Sequence, residues 1–550
     1  MTNKDLADLI FPNLEHDVDY YESLYPEREL KEGEKVTRFA PSPTGYMHIG
    51  GFYQALTDYV LAKNSGGIFY LRNEDTDKLR EVDTAVELIM STLREYGIVP
   101  DEYEYKGEIV GNYGPYIQSE RKDIYHAYIK KLIEIGRAYP CFCTREELDE
   151  LRKNQEEKKM RTGYYGRYAR CRNISVDTAI ERIKNGEPYV IRFKSEGDFN
   201  NKIIFEDLTK GKLSLSENDT DDVIMKSDSM LPTYHFAHVV DDHLMHTTHV
   251  VRGEEWLPSV TKHIEMFRAL GLKPPKYIHT PLIMKQDGDI KRKISKRKDP
   301  EASANYYKEI GIPVEAVKEY LLNIANSNFE IWRKQNPDKS IKEFDFQLTK
   351  MSVSGALFDM VKLLDIGKNV ISKYTAEQVY NEAHEWAETY DNELLELLNN
   401  KEYSIKGEFI SNGVDNKLKF EEGVIGMARN DYTQYSSSLK EESYNSGSSQ
   451  FFIMTKANTS LNGYYTSFGK VIEGMDVVHK IEEVEVKTAD NSEESGNTEA
   501  STPVNPVKIT SIRVETNGVE YGLPNTLTPF DYMSWMYKQY GLDASSLTSK

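Results

Sequence analysis

RFAPSPTGYMHIGG, residues 38–51, is the stretch from which the fold is read. A strand ending in Arg38-Phe39-Ala40 runs into a Pro/Ser/Gly turn, and His48-Ile49-Gly50-Gly51 opens a helix whose apolar residues Phe52, Leu56, Tyr59 and Val60 recur at helical spacing. Strand, turn and helix in this order aim free backbone N–H groups and the positive end of the helix dipole at the space above the turn. Gly50 and Gly51 let a flat or anionic ligand come close to the backbone. This is a nucleotide site in outline.

Working outward, GGIFYLRNEDTD (66–77) reads as a short apolar strand running into Arg72, Glu74, Asp75 and Asp77. Carboxylates at a strand's C-terminal end belong in the crevice where open α/β sheets bind ligands, although an acidic turn capping the next helix is the simpler reading of this segment alone. With 550 residues the chain exceeds one core and is expected to divide into three to five domains. A net charge of −20 argues against a general nucleic-acid coat and leaves room for a local basic path for one RNA. MTNKDLADLIFPN has no basic segment followed by an apolar run, and no run of about 18 apolar residues occurs, so neither a signal peptide nor a membrane span is expected. A cytoplasmic protein without a membrane partner follows. Its cysteines are Cys141, Cys143 and Cys171, an odd and clustered set that suggests reduced thiols. Their spacing suits a tetrahedral zinc ion, with Tyr165 or Tyr168 as a fourth ligand.

RFAPSPTGYMHIGG followed by YLRNEDTD resembles the start of a class I aminoacyl-tRNA synthetase of the glutamate/glutamine branch, with HIGG as its form of the HIGH signature. Downstream segments agree in order and spacing, and some glutamyl enzymes carry a similar zinc site. In KSDSMLPTYHFAHVVDDHLMHTTHVVRGEEW, Tyr234 and His238 stand one helical turn apart and can face one pocket. Arg252 ends the β-branched run VVR, and its planar fork suits a carboxylate held bidentately, whereas a neutral amide leaves donors unpaired. The resemblance associates an arginine here with glutamate. His238 points the other way, to the glutaminyl branch; charge complementarity discriminates more strongly, so Arg252 carries more weight. KRKISKRK (291–298) reads alone as a solvated basic loop; placed after YIHTPLIM and a QDGD turn, KISKR resembles the KMSKS signature, whose lysines hold ATP phosphates.

The resemblance implies a multidomain protein: a Rossmann-like α/β catalytic domain whose first half, with an N-terminal arm, covers 1–120, an α+β acceptor-binding insertion over 121–215, the second catalytic half with the KISKR loop over 216–300, and helical stem-contact and truncated anticodon-binding regions over 301–402. It also implies site residues. Arg38, Ser42, Glu74, Tyr234, His238 and Arg252 surround glutamate; His48, Gly50, Glu255, Trp256 and Lys296 hold ATP, which enters with magnesium. His48, Lys293 and Lys296 act catalytically, and Asp77 lies near the acceptor end of tRNA(Glu).

Near residue 402 the composition changes to Gly, Ser, Asn and short β-patterned runs. SSQFFI (448–453) and FGKVIEGMDVV (468–478) resemble the latter part of a cyclophilin-type peptidyl-prolyl isomerase. This implies a partial antiparallel β-barrel over 403–520, with Gln450, Phe452 and Leu461 lining a degenerate proline-peptide pocket. Tyr465 stands where that family commonly has His, and Ser460 where many members have Trp. The family's N-terminal strands and arginine-bearing segment are missing, and a barrel with half its strands cannot close, so no isomerase activity is expected. Residues 487–506 are acidic, Ser/Thr-rich and disordered on composition, and 521–550 form a helical tail. Three competing readings are a glutaminyl-tRNA synthetase, a peptide-binding module on a degenerate synthetase body, and an inactive fusion.

Overall fold

The structure is a computed structural model. It describes residues 1–43, 45–76, 84–353, 355–399, 404–488, 500–509, 512, 514–517, 519 and 525–539. The chain divides into two units, Met1–Val370 and Ile371–Lys550.

In the first unit, β1 (Val36–Phe39) and β2 (Ile68–Leu71) pair in parallel, Val36 opposite Ile68 and Phe39 opposite Leu71. Helix α1 (Ile49–Ser65) makes the crossover between them. Every residue of β1 is buried, as expected of a strand covered on both faces. Gly67 precedes β2 because a Cβ there would lie 2.1 Å from the Lys35 carbonyl oxygen, so only glycine allows the strands to meet. Thr248 N donates to Val36 O at 3.0 Å. That bond brings His249–Gly253 alongside β1, and the same strand pairs in parallel with Lys276–Thr280. The hairpin Lys202–Asp207/Gly211–Ser216 completes this sheet through Asp207 beside Tyr277.

Grouping residues 202–215 with the insertion therefore differs from the structure, in which Asp207 belongs to the sheet that carries Arg252 and His279. The inserted segment has its own antiparallel sheet, in the order Ala138–Cys141, Val190–Phe193, Val223–Met225. Helix α2 (Tyr234–Leu244) returns the chain to the nucleotide side with Phe236, Ala237, Val239 and Val240 fully buried. Beyond Thr280, Ile283–Asp287 and Ile290–Lys293 form an antiparallel hairpin that sets up the KISKR segment.

The second unit begins earlier than the composition change at 402, since helices Ala376–Tyr390 and Asn392–Asn399 fall within it. Its described strands include an antiparallel sheet in the order Phe451–Ile453, Val424–Met427, Ser467–Lys470. No closed barrel forms among the described residues. The segment 487–506 is not wholly without structure: Val486–Thr488 pairs with Ala500–Pro503, because ladder hydrogen bonds use backbone groups even where side chains are polar. The tail contributes helix Tyr532–Gln539, whose Tyr532 stacks on Tyr432 with ring centroids 5.8 Å apart.

Candidate active site

In parallel α/β sheets the ligand crevice lies beyond the C-terminal ends of the strands; here those ends belong to β1, β2, His249–Gly253 and Lys276–Thr280, with the turn after β1 on one side. His48 is the N-cap of α1, its Nδ1 accepting from Gly50 N at 2.9 Å. A Cβ on Gly50 would stand 3.1 Å from that Nδ1, so Gly50 serves the cap as well as any ligand. With Nδ1 an acceptor, the ring proton sits on Nε2. Burial, with help from nearby Lys296 and Lys293, holds the imidazole below its ordinary pKa and therefore neutral at pH 7. Ser42 is exposed on the loop after β1. Asp77 lies outside the described residues.

Beneath the crevice is an ion network that sequence reasoning missed in part. Asp242, fully buried on α2, accepts from Arg38 Nε at 3.2 Å and from Arg72 Nη1 at 2.8 Å. Arg72 Nη2 donates to Glu74 Oε1 at 3.0 Å. Burial opposes the charge on Asp242, but Arg38 and Arg72 outweigh it and hold the carboxyl well below the usual carboxylate range. Burial raises Glu74. The neighbouring Asp241 accepts from Arg121 Nε and from Tyr125 Oη, each at 2.7 Å. Asp242→Asn strands two buried guanidinium groups around a neutral amide and costs about 3–5 kcal/mol, read as a lowered urea midpoint. Because the folded pKa lies below the unfolded value, this contribution is fully present above about pH 4 and disappears as pH falls toward the folded value, so wild-type and variant curves converge in acid.

His238 is also fully buried. Nδ1 lies 2.5 Å from Asp242 Oδ2, and Nε2 is 2.9 Å from the Tyr277 hydroxyl. Nδ1 thus faces a carboxylate and Nε2 is hydrogen-bonded to Tyr277, so the ring is directed into the protein. Burial pushes its pKa down to about 4 despite Asp242, so it is a neutral bracket behind Tyr277. Tyr234 stacks on His238 at 6.0 Å and packs against Trp256 at 4.3 Å, which brings Trp256 to the pocket.

Arg252 is buried at the end of its strand, over the Tyr277 ring at 4.7 Å. Its Nε donates to His279 Nε2 at 3.0 Å, and Nη1 lies 3.2 Å from His263 Nδ1. Nη2 is buried and makes no hydrogen bond among the described residues. A buried donor left open on a cation is costly unless a ligand completes it.

The KISKR segment lies against the HIGG turn. Ile294 is buried, its N–H bonded to Ile283 O at 3.1 Å. Ser295 N and the Arg292 guanidinium both donate to Asp299, fixing the turn. Lys296 Nζ donates to Tyr46 O, and Lys293 Nζ stands 3.5 Å from Glu255 Oε1, which brings both lysines to the HIGG side with Glu255. Burial lowers the Lys296 pKa.

Away from the crevice, the Sγ atoms of Cys141, Cys143 and Cys171 lie within 4.8 Å of one another. Tyr164 supplies the neighbouring oxygen, 3.4 Å from Cys141 Sγ and 3.3 Å from Cys143 Sγ. The expectation of Tyr165 or Tyr168 is corrected here: Tyr165 Oη donates to Arg161 O and Tyr168 Oη to Met160 Sδ. In the second unit Phe452 stacks on Phe420 at 5.6 Å and, with Leu461 and Tyr465, packs on the small core of Phe420, Val424 and Met454. Gln450 is exposed.

The sequence model described as tRNA synthetases class I (E and Q), catalytic domain, matches residues 34–365. The chain belongs to that family. This class I synthetase is 51% identical over 410 residues to a glutamate–tRNA ligase of Clostridium perfringens strain 13, covering 74% of this chain and 75% of the relative. It is 45% identical to a glutamate–tRNA ligase of Sorangium cellulosum, over 69% of this chain and 71% of that one. A crystal structure of a glutamate tRNA ligase from Elizabethkingia meningosepticum, in complex with its amino acid, aligns with a TM-score of 0.57 at 34% identity over 67% of this chain and 76% of that chain. Residues 368–514 of the synthetase match the model for cyclophilin-type peptidyl-prolyl cis-trans isomerases. None of its described helices is long and apolar enough to cross a membrane.

Proposed function

We propose that the chain is a glutamate–tRNA ligase. The observation that carries this reading is Arg252, a buried cation with an open Nη2 at the end of the crevice. A glutamate side-chain carboxylate completes it bidentately, whereas a glutamine amide sets N–H against N–H. Arg38, Ser42, Glu74 and Tyr234 bind the rest of the amino acid, and His238 acts through Tyr277. ATP, entering as its magnesium complex, lies along the HIGG wall against His48, Gly50, Glu255 and Trp256, with Lys296 and Lys293 on the phosphates.

The chemistry needs no enzyme nucleophile. An oxygen of the glutamate α-carboxylate attacks the α-phosphorus, the bond to the bridging oxygen breaks, and pyrophosphate leaves. The ribose hydroxyl at the tRNA 3′ end then attacks the adenylate carbonyl and AMP departs. The protein contributes position and positive charge: His48 Nε2–H donates to a phosphate oxygen, and Lys296 meets the charge that develops on the leaving group. Asp77 serves the acceptor end, and we place the protein in the cytoplasm with tRNA(Glu). ATP–pyrophosphate exchange in the presence of tRNA(Glu) tests the reading. Exchange that depends on glutamate supports it; exchange that depends on glutamine selects the glutaminyl reading, which His238 alone favours.

The cysteine cluster fits a structural zinc ion. A tetrahedron with Zn–S bonds of about 2.3 Å has edges of about 3.8 Å, and Cys143 and Cys171 Sγ are 3.7 Å apart. Cys141, Cys143 and Cys171 would be the thiolate ligands, with the Tyr164 oxygen in fourth place; a bound ion would cross-link the insertion. One zinc per chain by atomic emission, lost in Cys143→Ser, is the expected result. We read 403–520 as an incomplete cyclophilin-like half-barrel, supported by its open antiparallel sheet, and assign it no isomerase activity. Phe452, the side chain that would grip a proline ring, is packed on Phe420 instead.

A further inference from the structure

Arg252 is held by neighbours of an unusual kind for a buried cation. Among the described residues it forms no ion pair, and two imidazoles accept hydrogen bonds from its guanidinium. The tautomers follow from the bonds. Asp207 Oδ2 is 2.6 Å from His279 Nδ1, so the His279 proton sits on Nδ1 and Nε2 is free to accept from Arg252 Nε–H. The Asp207 carboxylate is itself fixed: its Oδ1 accepts from Thr209 N, Thr209 Oγ1 and Lys210 N. On the other side, His263 Nδ1 accepts from Arg252 Nη1, so the His263 proton sits on Nε2 and is donated to His235 Nδ1 at 2.9 Å.

We infer that Asp207, His279 and His263 are positioning residues for substrate selection: they fix the Arg252 fork through neutral acceptors and so leave its whole charge for the substrate's side-chain carboxylate. The inference rests on the ligase reading above and deepens it. A carboxylate in place of either imidazole would hold the fork equally well, but it would also neutralise it, and a second anion would then gain far less on entering. Imidazole lone pairs align the guanidinium without that competition. Burial lowers the pKa of both histidines, which agrees with neutral rings. Asp207 sets the direction of the chain of bonds while standing one imidazole away from the charge. Behind the ring, His238 holds Tyr277 in place under the guanidinium.

Asp207→Asn tests the relay. Oδ1 keeps its three donors, so the amide NH₂ falls where Oδ2 was, gives up the bond that Oδ2 accepts from His279 N, and turns a donor toward His279 Nδ1. The ring must then carry its proton on Nε2, against the Arg252 Nε–H. The full-length chain is titrated calorimetrically with glutamol adenylate and glutaminol adenylate, stable analogues of the two aminoacyl-adenylates. Wild type is expected to prefer the glutamate analogue by at least about 100-fold, the size of effect a buried charge pair gives. Asp207→Asn and His263→Phe should each lose about tenfold or more of that affinity, with the glutaminol adenylate affinity and the ATP KM shifting less than threefold on the same rough scale. Thr209→Val, which removes one bond to the same carboxylate and one to the His279 carbonyl without touching Oδ2 or the imidazole, should retain the wild-type preference. Equal losses for both analogues, or no loss in either variant, would overturn the positioning role. A wild type that prefers the glutamate analogue upholds the ligase reading whatever the variants do, and one that prefers the glutaminol analogue, or neither, removes that reading and this inference with it. A second readout needs no variant: imidazole ¹⁵N shifts should show His279 protonated at Nδ1 and His263 at Nε2 at pH 7, and an imidazolium at either position contradicts the inference.

Discussion

Arg252→Ala raises the glutamate KM of adenylate formation about 10²–10³-fold and leaves the ATP KM within about threefold, because truncating one partner of a buried charge pair costs roughly 2–5 kcal/mol. The size follows from burial: Arg252 is 3% exposed, so a glutamate carboxylate that enters an alanine variant is desolvated with no cation to meet it. The split follows from place. Arg252 sits with His263, His279 and Tyr277, whereas His48 and Lys296 form the other wall. A variant with unchanged glutamate KM would refute the assignment of Arg252 to the side-chain carboxylate. Arg252→Gln should move preference toward glutamine, since a neutral amide can pair with the substrate amide; steady-state exchange with each amino acid reads this.

Lys296→Ala lowers kcat for adenylate formation about 10²–10³-fold with the glutamate KM nearly unchanged, the loss found when one preorganised donor to a developing anion is removed. The ammonium is already placed, since Nζ donates to the Tyr46 carbonyl beside the HIGG turn. Lys293→Ala should cost less, because Lys293 is about half exposed and pairs with Glu255. Solvent screens such a charge. A larger loss at Lys293 than at Lys296 would exchange their roles.

Local patterns made the two signature segments legible from sequence. HIGG announces a helix start because a cap, a dipole and small residues are written in consecutive letters, and KISKR announces itself through its flanking strand and turn. Arg252 was legible for the same reason, as the end of a β-branched run. Its setting was not. Asp207, His263 and His279 come from two strands and a helix, and only strand register brings them to one guanidinium. The Asp241–Asp242 pair was present in the segment read for Tyr234 and His238, and its i, i+4 spacing from His238 was a usable signal. What chain order could not show was that both carboxylates point into the protein toward Arg38, Arg72 and Arg121. His238 illustrates the converse: helical spacing placed it beside Tyr234, but the sheet behind supplied Tyr277 and turned the ring from the ligand to the wall. Tyr164 rather than Tyr165 stands beside the cysteines because adjacent residues of extended backbone face opposite ways, and Tyr168, in a 3-10 turn, bonds Met160.

The most direct measurement is aminoacyl-tRNA formation by the full chain with labelled glutamate and labelled glutamine, each with ATP and tRNA(Glu). The account predicts glutamyl-tRNA and no glutaminyl-tRNA, with the glutamate product reduced at subsaturating amino acid by Arg252→Ala. Charging with glutamine at a comparable kcat/KM, or undiminished glutamate charging by the Arg252→Ala variant, would contradict it.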